Sequence, residues 1–529
     1  MVFLTQVVSD ARIDESKQQS ELEGQMHEEF STTIYGTRWA GEDIPRFDMP
    51  DVIYAASLQS EMPPDVAYRL INDELAVSSC HLVLDGRPSL NLASFVTTFM
   101  EPEAEKLISE NASKNFIDYE EYPQTCEIQN RCINMIARMF HAPMDSSEEE
   151  CMGCSTIGSS EAIILAVLAM KRRWQIMRES KGLSKEKPNL VMGANVQVCW
   201  EKAVKYLEIE PRYVNVTPDY LIMKPEKAME LIDENTIGVC AILGSTYTGH
   251  YEDVKTLNTL LEKKCAETGW DIGIHVDAAS GGFVAPFVIP ELEWDFRLSR
   301  VISINVSGHK YGLTYAGVGW CVWRSKAYLP TDLIFNINYL GADQASLTLN
   351  FSKSASSVIG QYYVLIRLGK SGFRSIMTNL IRISDHLAAC LERAGFEILS
   401  ERQGRGLPLV AFKLQGNKHY DEFDIAARLR ERGWIVPAYT APPGAEEIKL
   451  LRVVVREDFS KSRCDLLIRD ILAVVKTLDA QDAKTIQETR NHHRNAKQRW
   501  ALLRNIGALA FAKNHEKEGQ LPTKHNGVC

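Results

Sequence analysis

The chain has 529 residues, enough to bury a large core and to hold more than one domain. A formal net charge of −10 argues against a general nucleic-acid binder, and the composition is that of an ordinary soluble globular protein. The 12 cysteines lack the spacing of a disulfide framework, which suits a reducing compartment. No uninterrupted apolar run could span a bilayer, and the N-terminus lacks the basic and apolar regions of a signal peptide. The expectation is a cytoplasmic, enzyme-sized protein with no membrane or nucleic-acid partner.

In chain order, residues 1 to about 35 are polar and charged and read as an arm used in oligomer contacts. Pro45, Pro50, Pro63 and Pro64 punctuate a segment that should wrap over the body. Asp65 to Leu75 reads as a helix with Asp65 as N-cap and Val66, Leu70 and Ile71 at helical spacing. Asn91 to Phe95 and Asn111 to Asn115 are loops of small polar and apolar residues. Cys151 and Cys154 form a CxxC without a second pair or a His pair, so they read as small apolar residues rather than zinc ligands.

Gly153 to Ala162 is a run of small residues leading into a helix over about Glu161 to Met177. Gly158 allows close backbone approach, and Ser159 and Ser160 sit where the first free helix amides point outward. That is an anion site with hydroxyl donors added, although a serine N-cap explains the same letters. Strands are expected at Leu190 to Met192, Val196 to Cys199 and Thr236 to Leu243, and helices at Glu201 to Leu207 and Asp253 to Thr268. Alternation of this kind implies a mostly parallel sheet.

Asp271 to Val276 then reads as a strand that delivers Asp277 to its carboxyl end. The run from Val301 to Val306 does the same for Ser307-Gly308-His309-Lys310. An ammonium at the end of a buried strand is costly unless something uses it. Ligands of open parallel sheets bind at strand carboxyl ends. A lysine and an aspartate on two such ends suit pyridoxal 5'-phosphate (PLP): the lysine forms an imine and the carboxylate keeps the pyridine nitrogen protonated. With that pair in view, Ser159 and Ser160 read as a cofactor-phosphate site.

Gly317 to Trp323 is a further strand, and a helix from Val358 to Leu368 leads into a long connection through about Arg393. From about Gly395 the pattern becomes α+β, with strands at Leu407 to Leu414, Trp434 to Pro437 and Ile448 to Val455 and a helix at Asp421 to Arg432. Arg452, inside the last of these, should either snorkel to an edge or meet a carboxylate. The organisation expected is an arm and wrapping segment over 1–90, a large cofactor domain over 91–375, a small domain over 376–478 and a basic tail over 479–529.

Ile157-Gly158-Ser159-Ser160-Glu161-Ala162, Thr246-Tyr247-Thr248-Gly249, His275 to Gly282, Ser307 to Lys310 and Phe335-Asn336-Ile337-Asn338-Tyr339-Leu340-Gly341 together resemble the group II PLP-dependent decarboxylases, in particular plant glutamate decarboxylases. The resemblance runs from about Tyr35 to Phe459. It implies the α/β fold of aspartate-aminotransferase-like enzymes (PLP fold type I) and homo-oligomers built from dimers, commonly hexamers. It also implies roles: Lys310 holding PLP, Asp277 on the ring nitrogen, and Ser159, Ser160 and His309 on the phosphate with Ser352 from a neighbouring subunit. Thr246 would bond near the ring oxygen or Asp277, and Gln197 would pack over the ring. Ser94 and Asn115 would take the distal carboxylate of L-glutamate and Arg452 its α-carboxylate. Another amino-acid decarboxylase, or an interaction protein on the same fold, are the competing readings.

The tail differs from the body. Thr489 to His515 contains no Asp or Glu, and residues 481–529 hold nine Lys and Arg against four Asp and Glu. Trp500, Leu503, Ile506, Leu509 and Phe511 add apolar character. This is the pattern of a calmodulin target, and the plant relatives carry such a segment. Sparse lysines after Trp500, with Glu516, Glu518 and Gly507, depart from it and leave an unstructured or inhibitory tail as the alternative.

Overall fold

The computed structural model describes residues 64–76, 78–79, 82–83, 87–143, 151–337 and 344–491. The expected arm, the stretch Asn338 to Gly341 and the tail from His492 onward lie outside the described residues. Two compact units divide at Arg87 and Pro88. In the first, helix α1 (Pro64–Ala76) is followed by a short antiparallel pair, Ser78–Ser79 with Leu82–Val83. The helix begins on Pro64, so Asp65 lies in its first turn rather than at the cap. Proline suits that position because its missing N–H would have no partner there anyway.

The second unit is built on a seven-stranded sheet. Its strands are β1 (Gly153–Thr156), β2 (Asn189–Gly193), β3 (Glu210–Val214), β4 (Thr236–Ile242), β5 (Gly273–Asp277), β6 (Val301–Ser307) and β7 (Gly319–Trp323). Their order is β1-β7-β6-β5-β4-β2-β3. The pairs from β6 through β3 are parallel, and β7 runs antiparallel to both neighbours. Every residue of β2, β4, β5, β6 and β7 is buried, as expected for a sheet covered on both faces.

Helix α2 (Pro102–Glu110) and helix α3 (Pro123–Met139) precede the sheet. Helix α4 (Ser159–Ser180) and helix α5 (Val198–Tyr206) cover one face of it, packing Ile163, Val167, Met170 and Trp200 on Met192, Cys240 and Ile242. Helix α3, helix α6 (Val254–Thr268) and helix α7 (Ser356–Arg393) cover the other. The expected strand at Val196 to Cys199 is therefore a helix start. Asn195 turns its amide to Glu252, ending β2, and Cys199, Trp200, Ala203 and Val204 are then buried at helical spacing. The long connection is α7, broken at Gly369, whose φ of 55° and ψ of −172° only glycine adopts cheaply.

A four-stranded antiparallel sheet follows, with β8 (Phe396–Ile398), β9 (Leu409–Leu414), β10 (Ala438–Thr440) and β11 (Lys449–Val454) in the order β8-β9-β11-β10. Helix α8 (Glu422–Glu431) and helix α9 (Lys461–Ala480) flank it. The strand expected at Trp434 to Pro437 starts later, because Ile435 pairs with Leu90 and Leu92 instead and Pro437 has no N–H to give. Asp421 and Asp424 close a capping box on α8. Arg490, counted with the basic tail in the sequence, donates through Nε to Asp424 Oδ1 at 2.8 Å and so belongs to this small domain.

The sheet fits the loop before α4 with no space to spare. A Cβ on Gly319 would stand 2.7 Å from the carbonyl carbon of Gly158. Gly319→Ala must push that loop away, so urea unfolding should show a loss of about 1–3 kcal/mol, with the apoprotein still folded. Unchanged stability would mean that the loop yields freely.

Candidate active site

The carboxyl ends of β5 and β6 lie side by side, with Asp277 opposite Asn305 in the parallel register. The loop after β6 carries His309 and Lys310, and Ser307 N donates to Ala279 O at 3.2 Å, joining the two strand ends. Lys310 Nζ donates to Ser280 Oγ at 3.3 Å and stands 5.5 Å from the Phe95 ring centroid. Lys310 and Asp277, both expected at strand carboxyl ends, lie at one end of the sheet.

Asp277 is buried at 5% exposure and accepts three N–H groups. Trp200 Nε1 donates to Oδ2 at 2.9 Å, Asn305 Nδ2 to Oδ1 at 3.0 Å and Ala279 N to Oδ1 at 3.1 Å. A carboxylate offers about four acceptor directions, so the remaining one lies on Oδ2. Trp200 and Asn305 were missed in the sequence. The signal for Asn305 was there: Ser303, Asn305 and Ser307 are polar at alternate positions of a strand that is otherwise apolar.

Gly158 is the N-cap of α4 and supplies no side-chain cap, so the first-turn amides remain available beside Ser159 and Ser160. The serine-cap reading is thereby excluded. Ser159 Oγ is 2.5 Å from Ser307 Oγ, and Ser160 is exposed. A Cβ on Gly158 would meet His309 Cε1 at 3.3 Å, so ring, loop and helix end form one cup. Glu161 anchors the cup by accepting from Ile157 N at 2.8 Å and Asn350 N at 3.2 Å. His309 donates through Nδ1 to Val318 O at 2.9 Å, so the proton of the neutral ring is on Nδ1. Burial, with Lys310 beside it, pushes the imidazole down to about 4.

Gln197 Nε2 donates to Thr246 Oγ1, so these two candidates meet directly. The Thr246 loop is held from behind by Glu252, which accepts from Ile242 N at 2.8 Å, Asn195 Nδ2 at 3.0 Å and Met223 N at 3.2 Å. Burial still pushes this carboxyl up to about 7. Arg452 does not snorkel, and among the described residues it pairs with no protein carboxylate. It is 1% exposed and donates to the carbonyls of Thr246 and Ala93, the latter at 2.6 Å. Its Nε is buried with no partner among the described residues. The guanidinium thus joins the Thr246 loop to the loop of Ser94, whose Oγ accepts from Val96 N at 3.1 Å. That second loop is tied in turn to His309 O by Thr97 N at 2.9 Å.

Asn115 and Ser352 stand apart from this set. Asn115 Nδ2 donates to Ser352 Oγ at 3.3 Å, both residues are exposed, and no hydrogen bond links either to the other candidates among the described residues. The remaining donors fit PLP: an amine on Lys310, a buried carboxylate with one acceptor direction left, and a helix N-terminus lined by hydroxyls. Among the described residues no group of acidic, His or Cys side chains could hold a metal ion, and no helix is long and apolar enough to cross a membrane.

A mostly parallel sheet with an amine and a carboxylate on adjoining strand ends and a small antiparallel domain defines a PLP fold type I enzyme. Residues 64–415 match the pyridoxal-dependent decarboxylase conserved domain, and the chain belongs to that family. It is 55% identical over 453 residues to glutamate decarboxylase of Petunia hybrida, covering 85% of this chain and 87% of the relative. Glutamate decarboxylase 2 of Arabidopsis thaliana is 50% identical over 511 residues, 95% of this chain and 98% of the relative. The solved glutamate decarboxylase of Lactobacillus brevis superposes with a TM-score of 0.77 at 41% identity, covering 83% of this chain and 97% of that one.

The depressed basicity of His309 has a direction that can be measured. An unfolded chain takes up the proton near 6.5, so stability falls as pH drops from there toward 4. In the cofactor-free protein the ring resonances of His309 should titrate with a midpoint near 4. A midpoint at the ordinary value of about 6.5 would show that the ring is solvated.

Proposed function

We propose that the protein decarboxylates L-glutamate at Cα, releasing CO2 and 4-aminobutanoate (GABA) and consuming one proton. What carries this reading is a 55% identity to a glutamate decarboxylase over 453 residues in a chain where Asp277 ends β5 and Lys310, in the turn after the adjoining β6, bonds Ser280 just beyond it. When bound, PLP supplies an electron sink for the pair left at Cα as the carboxylate departs. Lys310 Nζ tethers the cofactor and afterwards delivers to Cα the proton that replaces the carboxylate. Asp277 holds the ring N–H, and the cup of Ser159, Ser160 and His309 holds the phosphate. Gln197 and Thr246, already bonded to each other, pack on the ring and its oxygen side.

Orientation of the substrate falls to Arg452, Ser94 and Asn115. A guanidinium has five N–H donors, and two carbonyls occupy only part of that set in Arg452. It can therefore hold the α-carboxylate while keeping its two loops together, fixing the breaking bond across the ring plane. Ser94 and Asn115 take the distal carboxylate. Asn115 and Ser352, paired and exposed, serve the site of a neighbouring subunit in a homo-oligomer of dimers, assembled as a hexamer in the cytoplasm.

The basic stretch 489–515 binds Ca2+–calmodulin; its support is the absence of acidic residues and the Trp500 anchor. Arg490 is held by Asp424, so the partner-facing part begins beyond it.

Product analysis after incubation with glutamate and PLP tests the activity. GABA should appear, turnover of aspartate and tyrosine should be negligible, and Lys310→Ala should abolish both turnover and the visible absorption of the bound cofactor. Equal turnover of all three amino acids would sink the substrate assignment. For the tail, a mobility shift and a rise in activity with Ca2+–calmodulin are expected; neither appearing would refute regulation by that route.

A further inference from the structure

Two adjacent buried strands carry a polar stripe in an otherwise apolar layer. His275 and Asp277 alternate along β5, and Ser303 and Asn305 alternate along β6. His275, Ser303 and Asn305 are all 0% exposed. The alignment depends on a one-residue register shift between Ile274 and His275, which takes Ile302 out of the pairing. His275 then faces Ser303, and Asp277 faces Asn305. Without that shift His275 would stand opposite Ile302 and Asp277 opposite Ile304.

The directions of the hydrogen bonds follow from Asp277 outward. A carboxylate only accepts, so Asn305 turns Nδ2 toward Asp277 Oδ1, at 3.0 Å. Its own Oδ1 then faces His275 Nε2 at 2.7 Å. An amide oxygen also only accepts, so the ring proton is on Nε2. Nδ1 is left to accept from the Ser303 hydroxyl at 2.7 Å. Burial keeps this imidazole below its usual range and hence neutral. The Trp200 ring packs edge-on against it with centroids 5.4 Å apart, closing that side to water.

We propose that His275 and Asn305, backed by Ser303, are positioning residues for Asp277 in the decarboxylase reading given above. The chain of donors runs one way, from hydroxyl to imidazole to amide to carboxylate. It ties down Oδ1 and sets the plane of the carboxylate, which leaves Oδ2 aimed at the ring N–H of PLP. Loss of the Nε2 proton donor frees the Asn305 amide to turn its oxygen toward Asp277, and the two oxygens repel. The effect reaches the cofactor through Asp277, with neither His275 nor Asn305 touching it.

The test reads cofactor binding and the state of one ring, so it can fail while the protein still decarboxylates glutamate. Full-length protein is stripped of PLP and titrated with it, following the visible absorption of the bound cofactor. His275→Leu should weaken PLP binding on the order of tenfold and alter the pH dependence of that absorption. His275→Gln keeps an N–H donor near the same place and should restore binding to within about threefold. Wild-type affinity in His275→Leu, or equal loss in both variants, overturns the proposal. Should His275→Leu fail to fold, 15N NMR of the wild-type apoprotein decides: the proposal requires the proton on Nε2, and a proton on Nδ1 overturns it.

Discussion

The site depends on how two parallel strands are matched. β5 and β6 are both fully buried, and side chains in a strand alternate between faces, so a slip of one residue would exchange polar for apolar partners. The shift at Ile274 and His275 sets Asp277 beside Asn305 and leaves Ile304 and Val306 in the opposite core. Lys310 follows three residues later in the turn after β6, where its Nζ donates to Ser280 Oγ in the loop after β5. The geometry that the chemistry needs is a consequence of pairing in the most protected part of the fold.

Around that pair, buried charges are matched largely to backbone groups, with Arg456 also paired to Asp458 at 3.6 Å. Glu161 receives Ile157 N and Asn350 N, and Glu252 receives Ile242 N and Met223 N. Arg452 gives to the carbonyls of Thr246 and Ala93, and Arg456 to those of Pro88, Asn91 and Ser94. Each of these four side chains holds together two or more segments distant in sequence. Leaving such a group unpaired costs about 1–3 kcal/mol, which gives each loop a strong preference for one position. Strand ends and the turns after them carry the residues proposed to react, and buried charges hold the neighbouring loops against them.

The pairing of Asn115 with Ser352 has a different character. Both are exposed, whereas Asp277, Thr246 and Arg452 are buried. Lys353 next to them is drawn inward to Ser155 O at 2.9 Å, and burial lowers its basicity. This edge is therefore tied to β1, while Asn115, bonded to Ser352 Oγ and Lys353 N, and Ser352 stay exposed. Such a division suits a site completed between subunits, as the proposed assembly requires.

Much of the site was legible from letters alone because its chemistry is unusual in local context. A lysine and an aspartate at the ends of buried strands, a Gly-Ser-Ser run opening a helix, and an arginine inside an apolar strand each break the pattern around them. Alternation of strands and helices gave the parallel sheet, and periodicity gave α4, α6 and α7 to within a few residues. What the sequence could not give was pairing. Trp200 bonding to Asp277, Asn195 bonding to Glu252 before the helix at Val198, Arg452 bridging two loops and Arg490 binding Asp424 all join residues tens to hundreds of positions apart. Local preference says nothing about such partners; they are chosen when the sheet sets its order and register and when buried donors must find acceptors.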